Sequence, residues 1–139
     1  MTNSEIETGL TIGSMVAYGK NSLSKYGVGL KSAGLSLGQT IVVYSKKGGV
    51  LSKAYKLDRN KVKEDGFGVY KSEINEACSD LPPNLLDDVK SGTVVYITNT
   101  VDHHDSITKT KNKLEEQMGV IYFDFLKKGL NIKLDISGK

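Results

Sequence analysis

The sequence predicts a single α+β domain over residues 1–139, in which a mostly antiparallel sheet carries helices on one face in a two-layer arrangement. Two runs rich in β-branched residues, 40–45 and 92–99, predict strands. Residues 108–128 place apolar side chains at helical spacing and predict the longest helix. A chain of this length is long enough to bury one core.

Residues 3–10, the first segment with a clear pattern, predict a short helix with Asn3 or Ser4 as its N-cap. Glutamates in its first turn would lie near the positive end of the helix dipole. Residues 11–26 are rich in glycine and serine, which is the composition of a loop. Long loops in compact domains often bind ligands, so this segment is a candidate binding loop.

A second helix is predicted over residues 28–37, and its buried face would carry Leu30, Ala33 and Leu37. Two apolar runs then flank a Lys-Lys-Gly-Gly turn. This pattern predicts a β-hairpin whose second strand covers residues 50–57.

The remaining elements are predicted from turn residues and from the alternation of apolar and polar side chains. Residues 67–70 predict another strand, Pro82-Pro83 prevents a helix from continuing through them, and Leu85-Leu86 predict the start of a short helix. Gly129 predicts the C-terminal end of the long helix. Residues 130–136 alternate apolar and polar side chains, which predicts a strand with one buried face.

The composition predicts a cytoplasmic protein with no membrane association. No apolar run reaches the roughly 18 residues that span a bilayer, and the first residues lack the pattern of a signal peptide. The single cysteine, Cys78, excludes an internal disulfide framework. The net charge is +3 and Arg59 is the only arginine, so a solvated lysine surface is favoured over nucleic-acid recognition, which stays an alternative.

Residues 25–38 are the segment most informative about function. Gly27 and Gly29 lead directly into the second predicted helix, and Lys31 lies in its first turn. Helix N-termini carry unpaired N–H groups, and glycine lets a ligand approach the backbone, so the segment predicts a phosphate site. It lacks the third glycine of a dinucleotide-binding fingerprint, and Leu30 interrupts a P-loop pattern. A glycine turn before a packed helix is the alternative.

Two further clusters have simpler interpretations. His103-His104 lie between aspartates, but adjacent residues rarely converge on one metal ion. A loop that ends in a helix N-cap at Asp105 or Ser106 is therefore favoured over a metal site. An aromatic group on the apolar stripe of the long helix is favoured as core over a stacking platform; its members are Tyr122, Phe123 and Phe125.

The order of these features resembles the GHKL ATPases, the superfamily of gyrase B, the ninety-kilodalton heat-shock chaperone, sensor histidine kinases and MutL. The features are Thr11-Ile-Gly-Ser, a polar loop, Lys25-Tyr-Gly-Val-Gly-Leu-Lys-Ser-Ala, a strand, and Gly92-Thr93 at the start of another strand. Residues 114–139 look most like the MORC branch and related bacterial or phage ATPases. The resemblance implies a Bergerat-type fold that binds ATP with magnesium.

The resemblance also implies a role for particular segments. Residues 11–26 would form an ATP lid, and residues 27–38 would form the glycine box and helix that take the β- and γ-phosphates. Thr93 would make a water-mediated contact with adenine. The implied ATP-binding residues are Gly27, Val28, Gly29, Leu30, Lys31 and Thr93, with Thr11, Gly13, Ser14 and Lys20 from the lid.

Two family features do not occur in these residues: a helix that carries a general-base glutamate and a magnesium-binding asparagine, and an Asp-x-Gly-x-Gly box. Glu5, Glu7 and Asn3 lie on the wrong side of the lid to replace them. We therefore expect a GHKL domain truncated at its N-terminus, a fragment of a conformational switch whose intact parent is an ATPase. We assign it no catalytic or metal-binding residue and expect no efficient ATP hydrolysis by this chain.

Several partners and two alternative functions stay open from the sequence. A truncated domain would leave an apolar face and a strand edge uncovered, so we expect a homo-oligomer as well as ATP or ADP binding. The chain could instead keep the fold as a non-catalytic interaction module for an unidentified protein client. A weaker alternative is a DNA-associated factor, by analogy with MutL and MORC.

Overall fold

The computed structural model confirms the predicted α+β class. It divides into two compact units, Met1–Val101 and Asp102–Lys139, and a single domain over 1–139 stays a prediction. The described strands form one five-stranded sheet, and each described strand pair is antiparallel. Among the described helices, none is long and apolar enough to cross a membrane. The structure describes residues 1–11, 28–66, 70–72, 85–101 and 105–135.

The first unit consists of helices packed on a sheet. Its helices are α1 (Asn3–Leu10), α2 (Gly29–Leu37) and α3 (Arg59–Asp65). Its strands are β1 (Gly38–Lys47), β2 (Val50–Leu51), β3 (Ala54–Asp58), β4 (Tyr70–Ser72) and β5 (Gly92–Thr100). β1 pairs with β5 on one side and with β2 and β3 on the other, and β4 pairs with β3.

The predicted hairpin is present between β1 and the strands that follow it. Gly48 and Gly49 have φ angles of +58° and +86°, which side chains other than glycine rarely adopt, and they form the turn. The second strand is interrupted after Leu51, where Ser52 bonds to the backbone of Ser45 through both its amide and its hydroxyl. The hairpin therefore keeps its register across the interruption.

α1 is the short helix predicted over residues 3–10, but its N-cap is Thr2, so the predicted caps Asn3 and Ser4 are wrong. The Thr2 hydroxyl accepts from the Glu5 amide, and the Glu5 carboxylate accepts from the Thr2 amide. This reciprocal pair is a capping box. The sequence carries the signature of this motif, a threonine followed three residues later by a glutamate.

α2 lies where the sequence predicts a helix, but the predicted buried face is wrong. The three residues expected in the core are exposed: Leu30, Ala33 and Leu37. The buried residues of α2 are Lys31 and Gly34. A Cβ on Gly34 would lie 2.7 Å from Cγ1 of Ile41, so the helix approaches β1 more closely than a side chain would permit.

The described helices of the first unit lie on one face of the sheet, as predicted. The core on this face contains Ile6, Leu10, Ile41, Val43, Tyr55 and Leu57, with Leu35 and Val62 packed against it. On the opposite face, Leu86 covers a second cluster of Val42, Tyr44 and Ala54, with Val94 and Tyr96 beside it. The register pairs Thr93 with Ser45 and Val95 with Val43, which places both β5 residues on the helix-bearing face.

The remaining predictions for this unit have mixed outcomes. β5 confirms the strand predicted over 92–99. β4 begins at Tyr70, the last residue of the strand predicted over 67–70, and residues 67–69 lie outside the described residues. Residues 85–88 form a turn, so the short helix predicted from Leu85 is wrong. The loop at 12–26 and Pro82-Pro83 also lie outside the described residues.

The second unit contains α4 (Ile107–Ile121) and α5 (Phe123–Lys127), so the helix predicted over 108–128 is interrupted at Tyr122. The Ser106 hydroxyl accepts from the Lys109 amide at 3.3 Å, which confirms Ser106 as an N-cap. Gly129 has a φ of +96° and ends the helical region, as predicted.

Two other predictions for this unit are wrong. Residues 130–135 form no strand, and they pair with no other strand within the described residues. Ile132 and Leu134 are nevertheless half-buried, as the alternation requires. Phe123 and Phe125 are 54% and 41% exposed, so they are not core residues. His103-His104 lie outside the described residues.

Candidate nucleotide-binding site

All the candidate residues that the structure describes belong to the first unit. The sheet face that bears the helices is also the face on which Thr93 lies. The candidates described are Thr11, Val28, Gly29, Leu30, Lys31 and Thr93, and those outside the described residues are Gly13, Ser14, Lys20 and Gly27.

The first turn of α2 offers several backbone donors. The N-cap residue, Val28, makes no side-chain cap hydrogen bond, and the first intrahelical bond runs from the Ser32 amide to the Val28 carbonyl at 2.9 Å. The amides of Gly29, Leu30 and Lys31 therefore have no acceptor within the helix. Together with the positive end of the helix dipole, these amides can bind an anion.

Gly29 has no visible structural reason to be glycine. Its φ is not in the positive region, and a Cβ placed on it would meet no described atom within 4 Å. Gly34 in the same helix differs, because it is required by its contact with Ile41. Glycine at a helix position costs about 0.5–1 kcal/mol relative to alanine. Open space in front of this backbone is what a ligand that approaches it closely would need.

Lys31 lies at the same turn, but its ammonium group is already bonded. Nζ donates to the carbonyl oxygens of Gly9 and Thr11, both at 3.0 Å. The side chain is 3% exposed, and burial lowers the pKa of its ammonium group. Lys31 therefore connects the first turn of α2 to the C-terminal end of α1.

Thr93 presents a hydrogen-bond acceptor at the start of β5. The fully buried Ser45 hydroxyl donates to the Gly92 carbonyl at 2.7 Å and lies 3.0 Å from the Thr93 hydroxyl. Because Ser45 has one hydroxyl hydrogen, Thr93 is the donor in their contact, and the Thr93 oxygen keeps its lone pairs. An acceptor there suits the amino group of a base or a bridging water.

Ser45 is the residue of this site that sequence reasoning missed. It also accepts from the Met1 ammonium group at 2.6 Å, so it holds the start of α1 as well as Thr93. The available signal was a hydroxyl residue within the β-branched run of β1. Only the register of β1 and β5 shows that this hydroxyl faces Thr93.

α2 packs against β1, and Thr93 has an exposed apolar neighbour on the same face of the sheet. α2 leads directly into β1 at Gly38, and Gly34 packs on Ile41, so the helix lies back over the strand. Val95, two residues after Thr93 on the same face, is 45% exposed. An apolar side chain next to the Thr93 acceptor suits a planar base, and the amides of the first turn of α2 suit phosphates.

A family model for histidine kinase-, DNA gyrase B-, and HSP90-like ATPases matches residues 1–93 of the 139. The chain belongs to this ATPase family. The match covers α1, the glycine box and β1, and it ends at Thr93. No curated protein and no solved structure was found to match the chain.

Proteins of this ATPase family bind ATP with magnesium, and the described residues fit the two ligands differently. The amides of α2 and the Thr93 hydroxyl fit a nucleotide. Among the described residues there is no group of three His, Cys, Asp or Glu side chains that could hold a metal ion. Glu5 and Glu7 bond to Lys47 and Lys71 at 2.9 and 3.1 Å. Among the described residues we therefore assign magnesium no protein ligand.

Proposed function

We propose that this chain binds ATP, with adenine at Thr93 and the phosphates at the first turn of α2. Gly29 gives the strongest support, since its Cβ would meet no atom of the described residues and its backbone conformation does not require glycine. A phosphate that approaches the backbone amides accounts for glycine at this position. Membership of the ATPase family supports the same ligand.

At the adenine end, the Thr93 oxygen accepts a hydrogen bond from the base or from a bridging water. Ser45 fixes the direction of this acceptor, because the Ser45 hydroxyl accepts a hydrogen bond from the Thr93 hydroxyl and itself donates to the Gly92 carbonyl. The exposed side chain of Val95 provides apolar contact for the plane of the base. Burial of adenine against this side chain contributes to the binding free energy through the hydrophobic effect.

At the phosphate end, the amides of Gly29 and Leu30 donate to phosphate oxygens. Gly27 and Val28 extend this backbone as the rest of the glycine box. We propose that the lid residues contribute further contacts; they are Thr11, Gly13, Ser14 and Lys20.

Nucleotide binding rather than hydrolysis is the activity that we propose for these 139 residues. A hydrolytic ATPase needs a general base beside the attacking water. The two acidic residues of α1 are each paired with a lysine, Glu5 with Lys47 and Glu7 with Lys71. We therefore assign neither of them as a base.

Two alanine variants test the phosphate site. Gly29→Ala adds a methyl group that meets no described atom, so the fold should be retained while the added Cβ obstructs the phosphates. We expect ATP affinity, measured by calorimetric titration, to fall about tenfold or more, which is about 1.4 kcal/mol. Gly119→Ala is the matched control, because Gly119 is also helical and its Cβ also meets no described atom. ATP binding by Gly29→Ala that equals wild type would contradict the proposed phosphate site.

We further propose that ATP drives self-association, as in a conformational switch of the MORC-like branch. Exposed apolar side chains around the site would become buried in such a dimer; they are Val28, Leu30 and Val95. Sedimentation velocity with and without ATP tests this. A dimer that requires ATP supports the switch, and a monomer at micromolar concentration in both conditions opposes it.

A further inference from the structure

Lys31 has a different role from the one that the family resemblance implies. We propose that Lys31 is a positioning residue, whose buried ammonium group fixes the C-terminal end of α1 against the first turn of α2. By holding Gly9 and Thr11 it sets the position of Thr11 relative to the amides of Gly29 and Leu30. The second part of this statement rests on the proposed ATP site.

The contacts of Lys31 account for its burial. Its Nζ donates to two carbonyls, Gly9 and Thr11, at 3.0 Å each. In the described part of the chain no carboxylate pairs with it. A buried cation without such bonds would be strongly disfavoured, so the two carbonyls are what hold the charge in place.

The C-terminal end of α1 has no basic residue of its own. Helix C-termini carry unpaired carbonyls and the negative end of the dipole, and α1 has no basic residue in its last turn. Lys31 supplies that charge from α2. The N-terminal half of α1 is held separately, by the Glu5–Lys47 ion pair and by the Met1 contact with Ser45. Within the described residues, Lys31 therefore connects this end of α1 to α2 through hydrogen bonds.

A phosphate ligand would need the same ammonium group. To reach a nucleotide, Lys31 would have to release both carbonyls and leave the Gly9 and Thr11 oxygens without this donor. Releasing them would cost the free energy of two charge-assisted hydrogen bonds. The backbone amides of the same turn need no such rearrangement, because they have no acceptor within the helix.

The test compares Lys31→Met with Lys47→Met in the full chain. Methionine keeps the unbranched apolar stem of Lys31 and removes the donor. Lys47→Met is the matched control, because it removes a lysine that contacts the other half of α1. Two readouts are measured: hydrogen exchange of the Thr11 and Ser32 amides without nucleotide, and affinity for ADP and ATP at a temperature where each variant is folded.

We expect the Thr11 and Ser32 amides to exchange about tenfold faster in Lys31→Met than in wild type. The affinities of this variant for ADP and for ATP should fall by about the same factor, whereas Lys47→Met should change neither exchange nor affinity. Unchanged exchange with a larger loss for ATP than for ADP would overturn the proposal in favour of a phosphate ligand. Faster exchange with unchanged affinity would overturn the positioning role. If wild type binds no nucleotide, the proposed ATP site fails. The exchange rates of Lys31→Met and wild type then test, without the affinities, whether Lys31 holds the end of α1. Lys31→Gln, which keeps an uncharged donor, replaces Lys31→Met if the latter does not fold.

Discussion

Gly34 is the residue on which the packing of α2 against the sheet depends most. In Gly34→Ala the new Cβ would lie 2.7 Å from Cγ1 of Ile41 and closer still to its Cδ1. Ile41 is fully buried, so its side chain has little room to move. Overpacking of this kind costs about 1–3 kcal/mol, and alanine in a helix returns about 1 kcal/mol relative to glycine. Because Ile41 is fully buried and the contact is far inside van der Waals distance, we take the upper part of this range, about 2–3 kcal/mol, and expect a net loss of about 1–2 kcal/mol in the free energy of unfolding.

Urea unfolding followed by circular dichroism measures this loss. Gly29→Ala is the control, because it makes the same replacement in the same helix but meets no described atom, and it should be as stable as wild type or more so. Ile41→Val removes Cδ1, so the Gly34→Ala/Ile41→Val double variant should lose less than the sum of the two single losses. Gly34→Ala with wild-type stability would refute the close approach of α2 to β1.

Three further predictions concern the sheet, the start of α1 and the second unit. Gly38→Ala places a Cβ 2.6 Å from the Thr98 carbonyl oxygen, which cannot rotate away, so urea unfolding should show a loss of at least about 2 kcal/mol. The hydrogen bond from Lys47, followed by that from the Thr2 amide, lowers the pKa of Glu5 from 4.5 to about 2. The stabilisation is therefore present above about pH 4.5 and lost as the pH falls toward 2, so the difference in urea midpoint between wild type and Glu5→Gln should disappear over that range. Gly119→Ala should raise the thermal midpoint of α4, measured by far-ultraviolet circular dichroism, because alanine stabilises a helix interior by up to about 1 kcal/mol; an unchanged midpoint would oppose this.

The sequence predicts the strands and helices of the first unit better than it predicts their faces. β1 and β5 follow from their β-branched residues, and the hairpin follows from its Gly-Gly turn. The face of α2 does not follow from apolar spacing, because a lysine and a glycine occupy it. Gly34 allows close approach to the sheet, and Lys31 reaches carbonyls that only the folded chain brings near.

Long-range partners also limit what the sequence predicts about the site. The glycine-rich segment before α2 is predicted from a local pattern, and Thr93 from the family resemblance. Ser45 is not predicted, because its importance depends on a register between residues far apart in the chain. The strand predicted over residues 130–136 shows the same limit, since alternation gives a half-buried face but cannot supply a partner strand.

Thermal unfolding of the wild-type chain with increasing ATP tests the central claim most directly. A ligand that binds only the folded state at about 100 times its dissociation constant stabilises by about 2.7 kcal/mol. We predict that ATP raises the unfolding midpoint by several degrees and that the rise continues with concentration. Adenosine should have a smaller effect, because it lacks the phosphates that we propose bind to α2. A midpoint that ATP leaves unchanged at millimolar concentration would contradict the proposed nucleotide site.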